Sequence, residues 1–420
     1  MPDTTTTFVH VSQLLGSPLV DRSGERLGRV EDVIVRLADG GFPPVTGLKG
    51  RIGGRELFVP ADHIASLTSS SAQLSAEKLD LRRFDRRPGE VLLGDDILGR
   101  KLIFVEGARL VTAHQIELAC VDGWWRVVAI NPSRRARLAR LLGRSPRTPS
   151  GESLISWNDL EPFVGHVPTS RLRIRHRKLA QLHPAQIADL VEAASHEEGE
   201  EIIQAVGQDR ELEADVFEEL DDEHQVEFIR ERSDEEAAKL IARMAPDDAA
   251  DLITELDQER RESILALLPP RQQRRVRQLL GYNPSTAGGL MNPDFIALPK
   301  TATVGEALRR VRTSDIPPEA ANTVFVLDEA GEVEGSLPTV ALIRAPEDTL
   351  LSELSHGETP KVQTDADLPE VANLMTDYNL VALPVVDENE RMVGVVTVDD
   401  LLELMLPTGW RWRHRVTSGS

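Results

Sequence analysis

"SDEEAAKLIARMAPDDAADLITELDQERRESILALL", residues 233–268, is one pattern written three times, each copy twelve residues long. Two of the copies open on a residue suited to precede a helix, Ser233 and Asp257, and each copy places acids where the helix N-terminus is positive and closes on a largely apolar stretch. The eighth slot is apolar in all three: Leu240, Leu252 and Ile264. Reading outward, "HPAQIADLVEAA", "SHEEGEEIIQAV", "GQDRELEADVFEEL" and "DDEHQVEFIRER" precede this stretch, and "PPRQQRRVRQLL" follows it. Leu190, Ile202, Phe228 and Val276 extend the apolar stripe, Pro184, Pro246 and Pro270 suit the first helical position, and Ser195 with Glu198 and Ser233 with Glu236 form capping boxes. Helices this short cannot stand alone, so the pattern predicts a stacked all-α superhelical repeat domain over 181–282.

On either side the periodicity changes. Residues 8–80 alternate apolar and polar residues between turn signals, with Asp21, Ser23 and Gly24 at a hairpin and Val33, Val35 and Leu37 on a buried face. Residues 90–145 read as a second β-rich unit, and the echo of "LLGSPLVD" at Leu14 in "LLGDDILG" at Leu92 raises a repeat of the first. Residues 146–180 read as a basic linker within the arginine-rich stretch from Arg134 to Lys178. Beyond Gly281 two α/β modules follow in tandem, over 285–346 and 349–407, and the tail 408–420, "TGWRWRHRV" within it, is aromatic and basic. The fold class expected is therefore multidomain α+β.

Composition narrows the function. A net charge of −21 disfavours nucleic acid and anionic lipid and favours cationic partners, metal ions included. Cys120 is the only cysteine, which excludes internal disulfides and cysteine-based zinc sites and fits a cytoplasmic address. No apolar run is long enough for a membrane helix, and the first residues resemble no signal peptide. His183, His196 and His224 stand at helix starts with no nucleophile beside them, and Gly24, Gly28, Gly288 and Gly289 build no phosphate loop, so no enzyme is expected. In "APDDAADLITEL" Asp247 and Asp251 lie one turn apart, opposite Ala249, Leu252, Ile253 and Leu256. Two readings stay open there: acids complementing the helix dipole, or half of a cation site.

The helical array followed by "YNPSTAGGLMNPDFIAL" and "LPVVDENERMVGVVTVDDLLELM" resembles the cytosolic part of MgtE-type magnesium channels, an acidic superhelical N domain before a pair of CBS modules. The β-region over 8–80 resembles the PRC-barrel. The resemblance implies a Mg2+ site between N domain and CBS pair, with Asp247 and Asp400 as facing carboxylates, a backbone carbonyl at Gly289, and Asp251, Asp367 and Asp215 as further acids. It also implies homodimerisation through the CBS modules. Pro369 and Asn379 stand where channel relatives carry acids, which predicts fewer sites and shallower cooperativity. Thr397 and Asp400 fit the CBS ribose-binding pattern for an adenine nucleotide, whereas Pro338 and Ala341 break it in the first module.

A channel pore would follow the CBS pair, and the sequence stops shortly after Met405, so a sensor without a pore is the expectation. Its acidic faces should repel without metal and close when Mg2+ neutralises them. The competing expectation is a ribosome- or RNA-associated adaptor that uses the barrel and the basic stretch, with vestigial metal sites.

Overall fold

Asp21 makes the first turn by accepting, through one carboxylate oxygen, the amides of Ser23 and Glu25 at 2.8 Å each and the Ser23 hydroxyl at 2.7 Å. Gly24 takes the left-handed conformation the turn requires, at φ +88°. The turn joins strands Pro18–Val20 and Arg26–Arg36 in a computed structural model that describes residues 8–37, 41–75, 82–133, 154–163, 167, 178–314, 316–355 and 359–405. The chain divides into two compact units, Met1–Leu220 and Asp221–Ser420.

In the first unit the long strand Arg26–Arg36 pairs with Val45–Ile52 and continues through Arg55–Pro60. Both of its faces are buried, not one: Val33 and Val35 enter the main core, while Ile34 packs with Phe58 and Leu92 on the other side. A second β-rich copy follows, and the two exchange their opening strands. Val9–His10 pairs with Glu117 and Leu118 of the later sheet, and Glu90–Leu92 pairs with residues 34–36 of the earlier one. Gly16 and Val30 make the same pair of backbone bonds as Gly99 and Ala113: Gly16 to Val30 and Gly99 to Ala113 at 2.8 Å, then Val30 to Ser17 and Ala113 to Arg100 at 2.9 Å. Gly16 therefore corresponds to Gly99, not to Gly94 as the sequence echo aligned them. The cause is a π-type turn, Leu93–Ile97, where the first copy has the shorter helix Val11–Leu14.

Two strands pair outside the units in which the sequence places them. Val9–His10 belongs with the second sheet and Glu90–Leu92 with the first, because each strand's register partner lies in the other copy. The expected linker over 146–180 contains strands Ile155–Ser156 and Leu160–Pro162, which pair with Ala129 and Ile130 and with residues 102–104, so the β-unit extends past 145. Trp157 between them is buried in the core both copies share. The arginines from Arg134 to Arg177 lie outside the described residues, as does the tail beyond Met405.

Asp32 anchors the exchange. It is 1% exposed, and its carboxylate accepts the amides of Val33 and Gly94 at 2.7 Å and of Asp95 at 3.0 Å. Burial, opposed by these bonds, pushes its carboxyl up to about 6. The corresponding position in the other copy is the neutral Gln115, whose side-chain oxygen accepts the Ser12 amide at 3.1 Å.

Eight short helices run from Pro184–Glu192 to Pro270–Leu279. All seven eighth-slot residues are buried. Side-chain caps form at His183, Ser195, Asp209, Asp221 and Ser233, and both expected capping boxes are present. Ala245, Asp257 and Pro269 make no side-chain cap bond. Arg260 donates to the carbonyls of Ile229 and Arg232, and Gln272 donates to those of Ile241 and Met244, at 3.4 and 2.9 Å. Each side chain thus satisfies the orphan carbonyls ending a helix about thirty residues earlier, which is how one repeat is tied to another.

The modules repeat one topology: strand Ile296–Pro299 parallel to Thr323–Leu327, which is antiparallel to Val333–Pro338, and likewise Val362–Gln363, Ala382–Val386 and Met392–Thr397. Helices Val304–Arg312 and Leu368–Asp377 connect the first two strands of each. Glu332 and Arg391 form a bridge between the two hairpins.

Candidate metal site

The joint between helices and modules is built by "STAGGLMNPD". Gly288 and Gly289 are required by close approach: a Cβ on Gly288 would lie 2.8 Å from the Tyr282 ring and 2.9 Å from the Thr364 carbonyl, and one on Gly289 would lie 2.4 Å from the Asn283 carbonyl. The amides of Ala287 and Gly288 donate to Ala366 and Thr364, and Thr286 bridges to Asp367, so the joint is stitched to the start of the second module.

Asp247 sits in the first turn of helix Pro246–Thr254, which buries Ala249, Leu252 and Ile253 on its other side. Its Oδ1 accepts a hydrogen bond from Asn292 Nδ2 at 3.1 Å. Asn292 is 6% exposed and fixed by its own backbone, which exchanges bonds of 2.8 and 3.0 Å with Val395. Its side-chain oxygen accepts the Asp294 amide at 2.8 Å, which turns the amide nitrogen toward Asp247. Strand Met392–Thr397 then runs from Val395 to Thr397, at the start of helix Val398–Met405, where Asp400 accepts the Thr397 hydroxyl at 2.6 Å and the Thr397 amide at 3.3 Å. Asp247 and the Thr397–Asp400 pair are thereby attached to the same strand.

The remaining expected residues are placed differently. Asp251 is exposed one turn along from Asp247, and Asp215 is exposed on helix Arg210–Glu218 in the first unit. Asp367 caps helix Leu368–Asp377 by accepting the Glu370 amide at 3.0 Å, and Gly289 has the steric role described above. Among the described residues no three His, Cys, Asp or Glu side chains form a ready cage for a metal. Mg2+ requires none: it binds through one or two carboxylates and retains its waters, so the hard oxygen donors of Asp247 and Asp400 fit it in type. For a nucleotide, Thr397 and Asp400 are a donor and an acceptor now bonded to each other, while the first module's Thr339 hydroxyl is taken by the Ala321 carbonyl at 2.9 Å.

The joint is not purely acidic, contrary to expectation. Arg275 and Arg271, on helix Pro270–Leu279, pair with Asp294 beside Asn292. Burial raises the Asp294 carboxyl above its usual range, and burial likewise lowers the Arg275 guanidinium, each outweighing the partner's attraction. Such a pair contributes little as a whole, but is costly to break from one side. The signal was present in the sequence: "PPRQQRRVRQLL" is the one block with no acid.

Residues 182–285 match the MgtE intracellular N domain, 287–348 and 351–407 match the CBS domain, and 6–73 match the PRC-barrel domain. The magnesium transporter MgtE of Thermus thermophilus is 42% identical over 139 residues, 33% of this chain and 31% of the transporter. The chain thus aligns with about a third of that relative's length. Its counterpart in Enterococcus faecalis is 30% identical over 130 residues, 31% of this chain and 29% of that one. The crystal structure of the cytosolic domain of the Mg2+ channel MgtE in complex with ATP is 32% identical and covers 54% of this chain and 92% of that one, with a TM-score of 0.51. No helix among the described residues is long and apolar enough to cross a membrane.

Proposed function

We propose a function from one premise: through residues 182–407 the chain belongs to the family formed by the MgtE intracellular N domain and its CBS pair. The chain is a regulatory protein of magnesium transport or homeostasis, in which Mg2+ binds where helix Pro246–Thr254 meets the second CBS module. Asp247 and Asp400 are its carboxylates, and Asp251 adds negative potential one turn away. The observation that carries this reading is the attachment of Asp247, through Asn292, to the strand leading into Thr397 and Asp400. An ion held by two carboxylates from different elements stabilises their contact by its differential affinity for the joined arrangement.

Thermal unfolding against Mg2+ tests this. Millimolar Mg2+ should raise the melting temperature, by RT ln(1 + [L]/Kd) in free energy, or about 2.7 kcal/mol at a hundredfold excess over Kd. Asp247→Ala and Asp400→Ala should each abolish the rise. An undiminished response in both variants would sink the assignment.

A second copy is proposed to cover the apolar side chains that the modules leave exposed, Val340 and Ile343 on helix Thr339–Arg344 and Leu402, Leu404 and Met405 on the last helix. Sedimentation equilibrium should give the mass of two chains, and Ile343→Glu with Leu402→Glu should reduce it to one. A wild-type mass of one chain would refute the dimer.

A further inference from the structure

Whatever holds the seam at Asp247 must offset the repulsion between an acidic helix start and the acids that open helix Val398–Met405. The segment Asn292–Asp294 already does this with protein groups. Asn292 presents a neutral amide donor to Asp247, with its orientation fixed by the Asp294 amide and its backbone locked to Val395 on both sides. Two residues on, Asp294 receives Arg275 and Arg271 from helix Pro270–Leu279. Two helices of the repeat and one strand of the second module thus converge on three consecutive residues.

We infer that Asn292–Asp294 is a metal-independent clasp that holds helices Pro246–Thr254 and Pro270–Leu279 against the second module, with Asn292 as the residue positioning Asp247. Divalent cation then adds to a seam already shut, rather than closing an open one. The inference rests on the Mg2+ reading only for its regulatory meaning; the clasp itself follows from the contacts. It corrects the expectation of repulsion-driven opening, because the amide and the arginines supply positive potential that a count of acids omits.

Arg275→Gln with Asp294→Asn removes the ion pair without stranding either charge in a buried position. Asn292→Ala removes the amide, and the triple variant removes both. Unchanged circular dichroism establishes that each full-length variant is folded. The readout is limited proteolysis within 281–286 in EDTA and in Mg2+, under conditions where cleavage reports the open population.

Wild type should already resist cleavage in EDTA, and Mg2+ should slow what cleavage remains. The triple variant should be cut roughly tenfold faster in EDTA, and Asn292→Ala alone should fall between. Rapid cleavage of wild type in EDTA, or a triple variant as resistant as wild type, would overturn the clasp. Mg2+ added to the opened triple variant separates the two ideas: restored protection supports the cation site, whereas none leaves the clasp standing and counts against Mg2+ at Asp247.

Discussion

Between pH 4 and pH 6 the β-region is expected to lose roughly 3 kcal/mol of stability, and Asp32→Asn is expected to abolish that loss. The folded state holds the Asp32 proton up to about pH 6, because burial disfavours the carboxylate more than three amide bonds favour it. The unfolded chain releases the same proton near 3.8. Over that window the folded state binds more protons, so the contribution is complete below the unfolded value and is lost as pH rises through about 6. Each pH step between the two values removes about 1.4 kcal/mol, which gives the total. Urea unfolding followed by tryptophan fluorescence reports this region, since Trp157 is buried in its core and Trp124 and Trp125 lie on its hairpin. The substituted asparagine cannot titrate. Its side-chain NH2 would oppose one of the three amides, so the variant should be weaker at acid pH yet flat across the window. A variant that keeps the wild-type slope would show that another group carries it.

That pair of copies also shows where local sequence stops informing. The helical repeat was legible because its signals lie within twelve residues: the caps at Ser195 and Ser233 and the eighth-slot apolar residues each decide something about their own helix. Strand exchange has no such signal. Val9–His10 pairs over a hundred residues away, and no alternation in a two-residue strand specifies which sheet it joins. Leu160–Pro162 was hidden in the same way, by the basic stretches around it. At the joint the sequence exposed the acids and missed what faces them. "NPD" reads as a turn, and turn chemistry explains Asn292 and Asp294 without revealing that Asp247 and Arg275 come to meet them. Gly288 and Gly289 read as turn glycines, and their actual constraint, contact with Tyr282 and Asn283, is a tertiary one.

Thr397→Val is expected to weaken adenine-nucleotide binding by about tenfold to a hundredfold while sparing the Mg2+ response, and Asp400→Asn to remove both. The difference follows from how the two side chains are joined. The Thr397 hydroxyl donates to Asp400 Oδ2 at 2.6 Å, and a ribose would have to replace that bond with bonds from its own hydroxyls. Valine keeps the bulk of threonine at a position only 3% exposed, but has nothing to offer the sugar. It also releases Asp400 from one competing donor, so the affinity for Mg2+ should be unchanged or slightly higher. Asparagine retains an acceptor for the Thr397 amide, yet it loses the charge a hard cation requires and the strong acceptor a ribose prefers. Titration calorimetry with ATP, AMP and Mg2+, separately and together, measures wild type and both variants on one scale. If both ligands claim this one carboxylate, Mg2+ and free AMP should each weaken the other by the same factor. Independent binding of the two would mean that Asp400 serves only one of them.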